Sequence, residues 1–218
     1  SHKRRIFQLS RLAAKICRRM GLDPTHTVFR QVCTANIVER HWVQPEPAPG
    51  KPQPGDRPRI LVIGDGSGIL SGLLKAMFPA CSLVLVDIGK SLLYQAHHCQ
   101  KANPEMNHML VEEDTDLSQA DFLYCPTESL HTLEKLDFDV AVNIASMQEM
   151  NTTTIVRYFD FLRRRLKTNN LFYCCNRESK TLVGGEVSEF YNYPWHPGDK
   201  VMLEGECPWH RFIVGRPL

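Results

Sequence analysis

RILVIGDGSGILSGLLKAMFPACSLVLVD, residues 59–87, decides how this chain folds. The apolar, β-branched run at 60–63 has the composition of a parallel strand buried on both faces, and it stops at Gly64-Asp65-Gly66-Ser67-Gly68. Three glycines at alternate positions let the backbone take positive φ and let a ligand approach the main chain. The N–H groups of the helix start that follows point at whatever lies above the turn. Residues 69–78 continue as an apolar helix closed by Pro79, and 81–86 read as a second buried strand. Asp87 ends that strand about 23 positions beyond Gly64, where an acid can take both hydroxyls of a ribose. The unit predicts an α/β, Rossmann-like fold with a nucleoside site at Gly64, Asp65, Gly66, Ser67, Gly68, Asp87 and Ile88.

The dinucleotide fingerprint G-x-G-x-x-G needs a glycine where this chain has Ile69. The G-x-G-x-G form instead resembles the first motif of the class I S-adenosylmethionine-dependent methyltransferases, with Asp87 matching their ribose-holding acid. That resemblance implies a mostly parallel sheet with a C-terminal antiparallel hairpin, and S-adenosylmethionine as donor with S-adenosylhomocysteine as product. Many of these enzymes carry an acid two positions before the first glycine. Val62 stands there in this chain, and Asp65 is the residue expected to supply the charge. The same glycine turn also suits an NAD-binding oxidoreductase or a noncatalytic nucleoside-binding module.

A length of 218 residues, 43% apolar and 23% charged, suits one full soluble domain with an appended segment. No apolar run approaches the roughly 18 residues of a membrane span, and the basic start lacks the apolar stretch and cleavage site of a signal peptide. A cytoplasmic protein is expected, and the eight cysteines, with no C-x-x-C pair, read as reduced and structural. The net charge of +2 conceals an asymmetry: before Gln44, nine Lys or Arg stand against Asp23 and Glu39, about +7, leaving about −5 for the rest.

Residues 1–44 read as an N-terminal helical cap. Ile6, Leu9, Ala13, Ile16 and Met20 recur at helical spacing among basic residues, Gly21 ends that helix, and a second runs from Asp23 to about Val43. A solvated basic face over a packed apolar one accounts for the pattern, so no nucleic-acid partner is inferred; the apolar side covers the catalytic domain or joins a second copy in a homo-oligomer. Residues 45–58, with six prolines and two glycines, form a linker stiff enough to set the cap over the active-site face. Residues 59–218 are the nucleoside-binding domain.

Within that domain a helix spans 91–101, the acidic stretch near 112–116 is a loop, and the third, fourth and fifth strands fall at 121–125, 138–144 and 171–175. His97, His98 and Cys99 are adjacent in a helix and point in different directions, so no metal site is expected. Cys125-Pro126-Thr127-Glu128 leaves the end of the third strand, where an open α/β sheet places ligand contacts. Residues 152–166 form a helix whose Arg163, Arg164 and Arg165 complement its dipole. The end of the chain is turn-rich, aromatic and strand-like at 201–204 and 212–214, which suits a hairpin closing the sheet.

IGDGSG, LVDIGKSLLYQ, VNIASMQEMN and FYCCNRESKTLVGGE together resemble the sugar O-methyltransferase family within the class I fold. The resemblance covers 59–218 and implies a carbohydrate or glycoside hydroxyl as acceptor. It places the adenine beside Cys125 and Pro126, and the sulfonium and acceptor above the turn after the fourth strand, near Asn143, Ser146, Gln148 and Glu149. Glu149 is the first candidate to take the hydroxyl proton, or else a cap for the helix after it, and His196 is the second. Tyr193 and Trp195 are candidates to floor the acceptor pocket, since sugars are held by aromatic faces and polar groups together.

Overall fold

The computed structural model describes residues 2–42, 57–114 and 116–207. Six strands, β1 (Arg59–Ile63), β2 (Ser82–Asp87), β3 (His108–Leu110), β4 (Phe122–Pro126), β5 (Phe138–Ile144) and β6 (Leu166–Cys175), form one sheet in the order β3-β4-β2-β1-β5-β6. Every pairing in it is parallel. The strand order reverses between β1 and β5, and a doubly wound sheet opens a crevice at the carboxyl ends of such a pair.

The strands are apolar on both sides because both faces are covered. Ile60 and Val62 join the core on one face, and Leu61 and Ile63 join the core on the other, the alternation a strand's period of two requires. The first face carries α3 (Ile69–Met77) and α4 (Gly89–Ala102); the second carries α5 (Thr152–Arg165) and a 3₁₀ segment, Thr127–Lys135. Lys75 of α3 is buried beneath the sheet, donating to the carbonyls of Pro79 (3.1 Å) and Cys81 (2.7 Å) and to Asp121 (2.8 Å). Three acceptors satisfy the ammonium, which is what allows a charge to sit there.

The N-terminal helices α1 (His2–Met20) and α2 (His26–His41) lie on the α3–α4 face and share its core. Leu9, Ala13, Ile16, Cys17 and Met20 are the buried stripe of α1, as its periodicity predicts, so the apolar side of the cap packs within the chain. Met20 and Ile16 close on α3 at Gly72, where a Cβ would come within 2.8 and 3.1 Å of them. Arg5 pairs with Glu39, and Trp42 meets Phe78 edge-on at 5.1 Å. Most of the linker expected at 45–58 lies outside the described residues.

The structure departs from the sequence reading in two places. β3 lies just ahead of the acidic loop, where the sequence assigns no element; it is a three-residue edge strand, too short to carry a period, held by pairing with β4. The hairpin of β7 (Ser179–Thr181) and β8 (Val187–Glu189) exists but forms its own two-stranded sheet rather than closing the main one. Residues 201–204 form no strand, and 212–214 fall outside the described residues. No helix among the described residues is long and apolar enough to cross a membrane.

Candidate functional site

At the turn after β1, Gly64, Gly66 and Gly68 all take left-handed backbone, with φ of 74°, 67° and 80°. The Gly64 N–H donates to the Val86 carbonyl (2.9 Å), which ties the turn to β2. A Cβ on Gly64 would fall 2.2 Å from Ser146 Oγ, whereas one on Gly66 would meet nothing within 4 Å. Gly64 is therefore glycine for packing, and Gly66 leaves the main chain open to an approaching group. Ser67 and Gly68 sit behind the turn: the Ser67 carbonyl meets His98 Nδ1 at 2.9 Å, and a Cβ on Gly68 would come 3.0 Å from Cys99 Sγ.

Asp65 is buried and accepts the Leu70 (3.2 Å) and Ser71 (2.8 Å) N–H groups, capping α3. Those helix-start donors, read from sequence as pointing at a ligand, point at Asp65. Burial pushes its carboxyl up to about 6, against the lowering effect of Ser71 and Leu70 and with a smaller contribution from the charge of Asp87. Asp87 ends β2 across from the turn; its Oδ1 accepts the Ile88 N–H (2.8 Å) and its Oδ2 accepts the Gln95 amide. Burial raises its pKa as well. Ile88 follows with its side chain largely exposed at the rim. On β4 the Cys125 thiol is buried, its pKa pushed up to about 12, and Pro126 stands opposite Asp87 in register; neither lines the cavity, where Thr127 takes the place.

Beyond β5 the chain turns through Ala145, whose φ of 54° is left-handed for a residue with a side chain. A strained residue of this kind persists only where its surroundings hold it, and here they do. The Ala145 N–H donates to Cys175 (2.8 Å), while Asn143 donates to the Ile63 carbonyl (3.0 Å) and accepts from Asn176 (2.8 Å). Ser146 Oγ donates to the Ile63 carbonyl (3.0 Å), and Gln148 accepts the Arg177 N–H (2.9 Å). Asn143 and Gln148 are thus fastenings between β1, β5 and the exit of β6. Glu149 pairs with Lys180 of β7, which holds its carboxyl below the usual range, and the hairpin is latched again where Glu186 accepts the Thr152 N–H (2.7 Å). The cap of α5 is Asn151, accepting from Thr154 (2.9 Å), rather than Glu149.

These elements enclose a cavity of about 430 Å³ at the carboxyl ends of β1, β2 and β5. Of the residues singled out in the sequence, Gly64, Asp65, Gly66, Asp87, Ile88, Ser146 and Glu149 line it. Trp195 lies elsewhere: it donates from Nε1 to the Phe190 carbonyl (2.9 Å) and meets Phe159 edge-on at 4.9 Å, on the outer flank of α5 and β6. Tyr193 packs in the same aromatic cluster. His196 is held in an exposed turn, its N–H on Asp199 (2.8 Å) and its Nδ1 accepting from Gly198 (3.0 Å). Asp199 in turn grips Arg163, in the last turn of α5, while the cavity meets the first turns of that helix at Thr154 and Tyr158. The aromatic loop therefore belongs to the wrong end of α5 to floor the pocket. Arg30 and Gln31 of α2 complete the lining, and the sequence reading missed them together with Thr154 and Tyr158.

Neither the protein-family profiles nor the curated proteins yield a match to this chain. Among solved structures the similarities are distant. The chain overlays a candidate O-methyltransferase from Nostoc punctiforme at 11% identity and a TM-score of 0.42, over 64% of this chain and 33% of that one. It overlays the O-methyltransferase TomG from Streptomyces achromogenes, solved with S-adenosylmethionine, at 16% identity and 0.45, over 95% and 78%. Human N-acetylserotonin methyltransferase, also solved with S-adenosylmethionine, aligns at 13% identity and 0.35, over 78% and 37%. The chain spans about a third of the length of the Nostoc and human proteins.

Proposed function

We propose that this chain binds S-adenosylmethionine and transfers its methyl group to a hydroxyl oxygen, with a sugar or glycoside as the acceptor. One observation carries the donor: a left-handed glycine turn, open at Gly66, faces a carboxylate at the end of the neighbouring strand across one cavity. The residues present fit such a group. Asp87 accepts from ribose hydroxyls, the main chain at Gly66 admits close approach, and Ile88 offers an apolar surface to a base. A volume of about 430 Å³ lies within the range of small-molecule and cofactor sites.

When bound, S-adenosylmethionine supplies an electrophilic methyl group on a sulfonium. The chain's share of the work is alignment and the removal of one proton. Glu149 is the acid at the cavity mouth, and its partnership with Lys180 keeps it ionised and hence able to accept a hydroxyl proton, at reduced basicity. His196, in its turn beside the end of α5, takes no part. The sugar acceptor rests on the resemblance of the later motifs and on the polar rim of Thr127, Thr154 and Glu149. It gains nothing from Tyr193 and Trp195.

Thermal unfolding with S-adenosylhomocysteine, and with NAD in parallel, tests the donor. A ligand at 100 times its dissociation constant stabilises by about 2.7 kcal/mol, and of the two only S-adenosylhomocysteine is expected to do so. Stabilisation by NAD alone would point to the oxidoreductase. Labelled methyl transfer to a panel of monosaccharides and glycosides tests the acceptor, and a donor-binding protein that methylates none of them rules the sugar out. Glu149→Gln is expected to lower the transfer rate about 100-fold with the fold intact; an unchanged rate removes Glu149 from the chemistry.

A further inference from the structure

We infer that Arg30 and Gln31 of α2 recognise the amino-acid tail of the donor, which makes the N-terminal cap a structural part of the donor site. This rests on the S-adenosylmethionine assignment above. Gln31 lines the cavity at 9% exposure, and its Oε1 has no hydrogen-bond partner among the described residues. Such an atom is costly to bury unmatched, because it has lost water and gained nothing. A ligand donor would satisfy it. Its neighbour Arg30 is the only cation that lines the cavity among the described residues.

A guanidinium beside an amide oxygen matches a zwitterion, with a carboxylate for the first and an ammonium for the second. The placement also agrees. α2 packs on α3 and reaches β6, so it stands on the β5 and β6 side of the glycine turn, whereas Asp87 stands on β2 at the other side. From β2 across β1 to β5 is two strand spacings, about 10 Å. That is the reach of a homocysteine chain extending from a ribose. With the ribose on Asp87, the chain crosses Gly64 and Gly66 and its charged end arrives beneath α2.

Calorimetric titration of S-adenosylhomocysteine and of 5′-methylthioadenosine, the same nucleoside thioether without the amino-acid tail, tests this. In Gln31→Leu the affinity for S-adenosylhomocysteine should fall about tenfold and in Arg30→Met about thirtyfold, with methylthioadenosine within about twofold of the unaltered protein. Unchanged affinity for S-adenosylhomocysteine in both variants overturns the inference, and would leave the pair to an acidic acceptor. Equal loss of both ligands overturns it too, provided Gln31→Met, close in volume, behaves the same with a normal melting profile. If the unaltered protein binds neither nucleoside, the donor assignment itself fails.

Discussion

The turn at 64–68 and the loop at 190–199 both stand out in the sequence as places for a ligand, yet one faces the cavity and the other packs against the outside of α5 and β6. The first is rich in glycine and the second in aromatics, and that difference matters. Alternate glycines after a buried strand constrain the backbone, and a backbone constraint has its consequence where it stands in the chain. Aromatic side chains bury area wherever the chain happens to run. Phe190, Tyr193 and Trp195 do so by closing over Phe159 and Phe172, completing the outer core beside the short hairpin.

Substitution at each region should separate their roles. Gly64→Ala puts a Cβ at φ 74° and drives it into Ser146, whose hydroxyl is held by Asn143 and the Ile63 carbonyl and cannot swing away without loss. Backbone strain and overpacking together should remove roughly 2–5 kcal/mol, with S-adenosylhomocysteine binding reduced because Ser146 and the turn both border the cavity. Urea unfolding monitored alongside a ligand titration reads both. Trp195→Ala should cost about 2 kcal/mol, less than a fully buried Trp because the ring is 37% exposed. Its ligand affinity should not move. A Trp195→Ala protein that folds normally but loses affinity would bring the aromatic loop back into the site and erase the contrast.

The strands and helices were legible because each carries a period: two faces of apolar residues for β1, β2, β4 and β5, one buried stripe for α1. The three-residue strands β3, β7 and β8 slipped through, each too short to carry a period and held by a neighbour. The site was legible where it follows directly from an element's end, as at Gly64, Gly66, Asp87 and Glu149. Asn143 and Gln148 follow the same strand end, but their polar atoms turn inward to tie three strands together. Only the fold decides which side of a turn an amide takes. Arg30 and Gln31 carry no local signal at all, since they reach the cavity through the packing of α2 on α3, some thirty residues before the glycine turn begins.

Asp65 sharpens the comparison from within the turn, because there a side chain serves the fold while the backbone beside it faces the cavity. Its folded pKa of about 6 lies above the ordinary 3.8, so between those values the folded state holds more protons than the unfolded one. Stability contributed by this group is therefore fully present below about pH 4 and is lost as pH rises through 6. Asp65→Asn keeps an oxygen for the Leu70 and Ser71 N–H groups, and Asn caps helices about as well as Asp. The variant should thus change stability little at pH 7, where the loss of charged hydrogen bonds opposes the relief of a buried charge. Its stability should lack the fall between pH 4 and 6 that Asp65 gives the unaltered protein. Asp87, raised in the same direction, is present in both proteins and cancels in the difference apart from its small charge effect on Asp65. Urea midpoints measured across pH 4 to 7 supply that difference. A curve for Asp65→Asn parallel to the unaltered one would mean that the carboxylate is not confined under α3, and that it is available to a ligand after all.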